Sequence, residues 1–407
     1  MTTISRVLPP LLCAVFGALL VLMGAVGCTD EERAAVQPVP ADAPDRFAVV
    51  DEALKDQQVV LLGESSHGVA DFYERKAALV RHLHEELDYD VLVFESGLAD
   101  VALQYNRAEK TSARSFVKKA LLYDTDLLVP LVDYVKTDKQ TDDPLYVAGM
   151  DVQSRNYADA VGALVGDSVD TRFLSSLRGK LWQRLFQNRL EDYNRLSRQF
   201  EAKADTLLRV LDRTVPTASR SYVEHALVRN VQNARTFFSF RYEQGRDAET
   251  AEMKALRDSI MAANLLWLTD TVFPEKKVIV WGHNGHIMKD NFEPAQDLGE
   301  YVHARMPDSS YAMGFVAHRG TAFEQHQDRD TIQFHHSGPN ALEARLSESK
   351  VPEAFVDFGT QPRSVWANDT LTVAHNTTLT KRIVPTTAFD GIYFIDTVSF
   401  ENVLEME

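Results

Sequence analysis

Two stretches of this chain, about 220 residues apart, follow one plan, and that plan restricts the fold more than any other feature. The first is Val59-Val60-Leu61-Leu62-Gly63-Glu64-Ser65-Ser66-His67-Gly68. The second is Val278-Ile279-Val280-Trp281-Gly282-His283-Asn284-Gly285-His286. Each is a short apolar run, a Gly, three residues and a His. An unbroken apolar run of this length, stopped by Gly, reads as a strand buried on both faces, as in a parallel sheet. In open α/β sheets, ligands collect just past the carboxyl ends of the strands. Histidines at two such ends therefore mark a candidate site; the bland alternative is two turn histidines that only cap or solvate.

The chain between and around them alternates. Phe72, Leu79, Val80, Leu83 and Leu87 make one helical stripe within residues 69–87, and a strand follows at 90–95, running into Glu95-Ser96-Gly97. Helical segments cover 98–139, and a third strand at 144–149 ends in Gly149-Met150-Asp151-Val152-Gln153. Strand and helix in alternation predict an α/β fold with a mainly parallel sheet flanked by helices. Residues 156–275 break the rhythm with Leu, Arg, Glu and Gln at helical spacing and no convincing strand, so they read as a large helical insertion or subdomain. Within it Met261, Leu265 and Leu268 mark a core stripe, with Arg257 and Asp258 near the start of that helix. The strand at 276–281 resumes the alternation. A helix at 297–305, a strand at 311–316, a polar hairpin around 327–335, a helix at 340–348 and strands at 354–358 and 392–395 complete it. The α/β core thus comprises residues 46–155 and 276–407.

Ahead of the core, Arg6 and the apolar stretch Leu8 to Val26 end in Ala25-Val26-Gly27-Cys28. Residues 1–28 resemble a bacterial lipoprotein signal, which would place the lipid on Cys28 after export and anchor the protein to a membrane of the cell envelope. An uncleaved anchor and simple secretion are the alternatives, since the apolar run is close to the roughly 20 residues that span a bilayer. Residues 29–45, polar and rich in Pro and Ala, read as a flexible tether reaching about 50 Å when extended.

Composition removes several functions. The two cysteines, Cys13 and Cys28, both precede the body, so a disulfide framework, a thiolate metal site and a Cys nucleophile are excluded there. A net charge of -16 argues against nucleic-acid partners, which need a basic footprint. No Gly-x-Ser-x-Gly elbow, phosphate-binding Gly loop, His-Glu-x-x-His or dinucleotide fingerprint is present. Ser65 and Ser66 adjoin His67, too close in sequence to face it easily as nucleophiles. What remains is His and carboxylate chemistry on water. A histidine can act as a base at neutral pH, which makes His67 the candidate, and Glu64 or Glu74 would tune it, Glu74 only if its helix begins near Gly68. His283 and His286, three apart, suit a metal pair or an oxyanion-stabilising His beside a structural one. Glu95 and Asp151 would complete the cluster, with Lys76, Arg257 and the histidines as counter-charges.

These motifs together resemble the erythromycin esterase family. The resemblance runs from Gly63-Glu64-Ser65-Ser66-His67-Gly68 and Phe72-Tyr73-Glu74-Arg75-Lys76 through Phe94-Glu95-Ser96-Gly97, Gly149-Met150-Asp151-Val152-Gln153 and Arg257-Asp258 with Met261-Ala262 and Asn264. It continues to Gly282-His283-Asn284-Gly285-His286, Asn340-Ala341-Leu342-Glu343-Ala344 and Phe389-Asp390-Gly391-Ile392. It implies an α/β core with a helical domain, a deep cleft, and water-dependent opening of a macrolide-type lactone or other carboxylic ester without a covalent intermediate. It further implies His67 or His286 as base, Glu64 and Glu74 as its supports, and His283 or His286 at the oxyanion. Lys76, Glu95, Asp151 and Arg257 would contact substrate. A divalent ion, if one is used, would sit on His67, His283, His286 and Glu64. The alternative is a haem- or metal-binding lipoprotein of the same superfamily that does no chemistry.

If Cys28 carries the lipid, the Cys28→Ser chain should leave the membrane fraction and lose metabolic labelling by fatty acid. A variant that stays membrane-bound and unlabelled would identify an uncleaved anchor instead.

Overall fold

The computed structural model describes residues 36–41, 43–122, 125–240, 251–291, 295–323, 331–359, 365–376 and 379–400. The signal with Cys28, tether residues 29–35 and the 327–330 part of the hairpin lie outside the described residues. Among the described residues no helix is long and apolar enough to cross a membrane.

The apolar runs form strands: β1 (Gln37–Pro38), β2 (Val59–Leu62), β3 (Tyr89–Gly97), β4 (Tyr146–Asp151), β5 (Lys277–Trp281), β6 (Ser310–Phe323), β7 (Thr331–His335), β8 (Glu353–Asp357) and, after the hairpin pair β9 (Leu371–Ala374) and β10 (Thr380–Ile383), β11 (Gly391–Val398). Nine of them make one sheet in the order β1-β8-β11-β6-β2-β5-β3-β4, with β7 added to β6. The six strands β11, β6, β2, β5, β3 and β4 are parallel. Antiparallel pairing is confined to β8 on β11, β1 on β8 and β7 on β6 within this sheet, and to the separate β9–β10 pair. All four residues of β2 are buried, as its lack of alternation predicts.

Both faces are covered. On one, Leu62, Leu92, Phe94, Ile279, Trp281 and Phe315 pack with Phe72, Tyr73, Leu79, Val80 and Leu83 of α1 (Ala70–Leu87) and with the helices of residues 113–138. On the other, Leu61, Val93, Met150, Val280 and Ala312 meet Met261, Leu265 and Leu268. The helical region is α2 (Leu98–Asn106), α3 (Ala158–Val165), α4 (Phe173–Phe186), α5 (Leu190–Thr214), α6 (Tyr222–Phe238) and α7 (Ala251–Trp267). It has its own core of Phe173, Tyr193, Phe200, Leu207, Phe238 and neighbours. Helix α7 belongs to both bodies: Met253 and Ile260 enter the helical core, whereas Met261 and Leu265, and Leu268 just past its end, enter the sheet core. Helix α2 is shared in the same way, with Val101 and Tyr105 in the sheet core and Ala99 and Leu103 in the helical core, so the helical region is bound to the sheet through both helices.

The tether is shorter than its composition suggests. Gln37 and Pro38 pair with Phe355 and Ala354, the Val39 amide donates to the Glu353 carbonyl at 2.9 Å, and Val36 and Val39 are buried. Pro38 is tolerated because β1 is an edge strand. The segment covers what would otherwise be the open edge of β8.

Two other differences have local causes. β6 is twice the expected strand because its distal half pairs with β7. The β9–β10 pair was not apparent, since each strand is four residues long and mostly polar on the second.

Val39→Asp should lower the unfolding free energy by about 1–3 kcal/mol, by placing a carboxylate against the sheet edge. Urea unfolding of the chain from residue 29 onward measures it; an unchanged midpoint would mean that the segment is not docked.

Candidate functional site

The pairing of β2 with β5 is in register, Leu62 opposite Trp281, so the two Gly turns lie side by side. The Gly282 amide donates to Leu62 O at 3.1 Å and the Asn284 amide to Glu64 O at 2.9 Å. Gly63 is required here: a Cβ would lie 2.0 Å from Asn284 Oδ1. Strand β3 flanks β5 and delivers Glu95, and β4 flanks β3 and delivers Asp151. The third side comes from α7, whose second turn supplies Lys254, Arg257 and Asp258.

Glu64 is the centre of the first turn. One carboxylate oxygen takes the Lys76 ammonium and the other lies 3.0 Å from His67 Nδ1. A carboxylate accepts, so Nδ1 of His67 carries the proton and Nε2 is left basic. Lys76 is fully buried, donates also to Gly282 O at 3.3 Å and lies over the Trp281 ring at 4.3 Å. Burial pulls its pKa down to about 8 against the attraction of Glu64 and Glu95. The His67 side chain is 24% exposed, the most open of the imidazoles of the two turns.

His283 is held the opposite way. It is the N-cap of a short helix α8 (Asn284–Ile287), and its Nδ1 accepts the Gly285 amide at 2.9 Å. The proton therefore resides on Nε2. Burial, then the nearby rings of His67, His375 and His286, keep its pKa well below the usual value, so the ring is neutral. Its own amide donates to Glu95 Oε2 at 3.0 Å. The His67 and His283 rings are 4.7 Å apart.

His286 is the charged member. Its Nδ1 lies 2.5 Å from Asp258 Oδ1 and its Nε2 3.3 Å from Glu95 Oε1. Burial opposes the charge, but these two carboxylates outweigh it and push the pKa up to about 9. Glu95 is held well below the carboxylate range: burial would raise it, and His286 and Arg257 more than offset that. Arg257 completes the balance with Nη2 at 2.8 Å from Glu95 and 2.7 Å from Asp151; its Nη1 and the His286 Nε2, 3.2 Å apart, are both donors when the ring is charged, and guanidinium and imidazolium share Glu95 as their common acceptor. Lys254 joins Asp258 at 2.9 Å, Asp297 and the Gly285 carbonyl.

The structure brings His67, Glu64, His283, His286, Lys76, Glu95, Asp151 and Arg257 to one place. Glu74 is not among them. Helix α1 buries Tyr73 and Lys76, which turns Glu74 outward, 47% exposed and 3.4 Å from Arg75. Lys76 and Asp151 have no exposed side-chain surface, so they support other site residues rather than touch a ligand. The four-residue metal set also fails to form. Nδ1 of His67 faces Glu64, Nδ1 of His283 takes a backbone amide, and both nitrogens of His286 face carboxylates. Among the described residues no three His, Cys, Asp or Glu side chains are arranged to hold a metal ion.

Three participants, Lys254, Asp297 and His375, were missed, and Asp258 was read without a role. Lys254, shared with Asp297, pairs with Asp258 from outside any motif, although Lys254 and Asp258 have the i, i+4 spacing of a helical ion pair. Asp258 was visible only beside Arg257. His375, just past β9, has its ring 5.1 Å from His283 and lies where a Cβ on Gly285 would meet it at 2.6 Å. No local pattern around His375 signals this. The hairpin is held by buried Glu343, which accepts the Ala374 amide at 2.7 Å.

A family model described as erythromycin esterase matches residues 84–398. The chain is 28% identical to "Putative hydrolase YbfO" of Bacillus subtilis (strain 168), over 75% of each chain. It is 23% identical to erythromycin esterase type II of Escherichia coli, over 90% of this chain and 95% of that one. Among solved structures, a Bacillus cereus protein superposes with a TM-score of 0.73 at 19% identity, covering 92% of this chain and 97% of that one, a likeness of fold.

The His286 pKa, raised from 6.5 to about 9, links stability to pH. Its contribution is fully present below pH 6.5 and is lost as pH rises through 9. Asp258→Asn should shrink that loss, so the stability gap between wild type and variant narrows from pH 6 to pH 9.5. Lys76 titrates in both proteins and cancels in the comparison. Urea unfolding at the two pH values tests this; a gap independent of pH would remove the His286–Asp258 charge pair.

Proposed function

The chain belongs to the erythromycin esterase family, and on that footing we propose that it is a hydrolase opening a carboxylic ester or lactone of a bulky apolar molecule with activated water. The observation that carries the reading is the division of labour among adjacent imidazoles. His67 is oriented by Glu64 with a basic Nε2, while His283 is fixed as a neutral Nε2–H donor 4.7 Å away. Two adjacent rings fixed in opposite tautomers, one offering a lone pair and the other an N–H, can serve as proton acceptor and hydrogen-bond donor to the same reacting group.

In this mechanism His67 Nε2 takes a proton from water as the oxygen attacks the ester carbonyl. Glu64 stabilises the imidazolium that forms, and the buried Lys76 ammonium holds Glu64 in place. The carbonyl oxygen gains negative charge and is met by the His283 Nε2–H, with the positive His286 and Arg257 behind it. The tetrahedral intermediate collapses with cleavage of the acyl C–O bond, and the leaving alkoxide recovers its proton from His67. No side chain is acylated. His286 is not the base, because both its nitrogens are engaged and its charge is held by Asp258 and Glu95. Export and attachment through Cys28 complete the proposal; the seven residues between Cys28 and Val36 could span at most about 25 Å.

Hydrolysis of a panel of macrolides and aryl esters by residues 29–407 is the test. His67→Ala should lower kcat by about 10²- to 10⁴-fold. His283→Phe should lower kcat by a similar order with little change in KM, as for a donor used only in the transition state. Equal turnover by wild type and His67→Ala would remove His67 as base. No turnover on any ester, together with a stoichiometric haem absorption band, would favour the binding lipoprotein.

A further inference from the structure

β6 continues past the two Gly turns, and its distal half carries a second histidine cluster that the proposed reaction does not use. His318 on β6 and His335 at the end of β7 bring their Nε2 atoms to 3.2 Å, with ring centroids 4.7 Å apart. Nδ1 of His318 lies 3.1 Å from Asp396 Oδ1 on β11. The carboxylate accepts, so the His318 proton is on Nδ1 and its Nε2 presents a lone pair to His335. Asp396 is itself fixed by Ser347 Oγ at 2.9 Å, Arg319 Nη2 at 2.9 Å and Thr397 Oγ1 at 3.0 Å. The His336 amide donates to the His318 carbonyl at 2.8 Å, which ties the end of β7 to this position.

Two imidazole nitrogens aimed at each other at this distance hold either one shared proton or one ion. With metal–nitrogen bonds of about 2.05 Å, a 3.2 Å separation corresponds to a nitrogen–metal–nitrogen angle of roughly 100°, near tetrahedral. A carboxylate on the far nitrogen of a ligating histidine is the usual support for such a ligand, fixing tautomer and ring orientation. His335 is exposed, which leaves the remaining coordination positions open to water.

We propose that His318 and His335 form a two-histidine site for a divalent late transition ion such as Zn²⁺, Ni²⁺ or Cu²⁺, with Asp396 orienting His318 and water completing the coordination. The site is separate from the esterase turns. It lies three residues beyond Phe315, whose carbonyl accepts the Ser65 amide, or about 10 Å along the strand. Soft thiolates are absent and the donors are imidazole, which suits these ions rather than Mg²⁺ or Ca²⁺.

The test is calorimetric titration of the chelator-treated chain, residues 29–407, with zinc chloride, and continuous-wave EPR after one equivalent of Cu²⁺. Wild type should bind one zinc ion more than His335→Gln, whose exposed position leaves folding intact, and the copper spectrum should show nitrogen coupling that His335→Gln loses. Asp396→Asn should weaken the same step by about 10-fold or more. His67→Ala should bind as wild type does. Equal zinc stoichiometry and an unchanged copper spectrum in His335→Gln would overturn the proposal and leave a pair that only shares a proton.

Discussion

Burying charge is the constraint around which this molecule is arranged. Glu64, Glu95, Asp151, Asp258 and Asp297 are all buried around the two Gly turns, and an uncompensated carboxylate there would cost several kcal/mol. Each has a cation supplied by a different element: Lys76 from α1, Arg257 and Lys254 from α7, His286 from α8. The elements therefore cannot drift independently, since moving any one strands a charge. The helical body is linked to the sheet by ion pairs as well as by the apolar stripe of α7. The same pairing sets the chemistry, because it keeps His286 positive and leaves His283 neutral beside it.

The imidazoles owe their different states to backbone as much as to charge. An amide at Gly285 fixes the His283 tautomer, and a carboxylate in the adjacent turn fixes that of His67. Both devices depend on glycines that let two turns approach: Gly63 beneath Asn284, and Gly285 beneath His375. A site of this kind is set before substrate arrives, which is the condition for stabilising charge that develops only during reaction.

Much of this was legible in the sequence, and the reasons are specific. Buried parallel strands announce themselves by uninterrupted apolar runs, so β2, β3, β4 and β5 and the residues at their ends were readable. Glu64, His67, Glu95, Asp151, His283 and His286 follow directly from that. Glu74 misled because a seven-residue spacing fixes a helical face only once the helix start is known. Val36 and Val39 were hidden in a segment whose Pro and Ala content signals a linker, whereas two backbone pairs suffice to dock it. His375, Lys254 and Asp297 reach the site through tertiary contacts from elements with no distinguishing pattern, and no one-dimensional signal could reveal them.

The order of strands also bears on how the chain acquires its structure. β2 is the first of the parallel strands to be synthesised, yet its partners are β5 and β6, whose paired residues begin at Val278 and Ser310. Until the ribosome has passed the whole helical region, the most apolar strand of the sheet has nothing to pair with. Contacts this distant in sequence are slow to form and leave apolar edges exposed meanwhile. The helical body, with a largely local core, can form first and hold its two flanking segments near each other. A nascent chain of this design is thus a natural client for chaperones, and its catalytic turns come into being only near the end of folding.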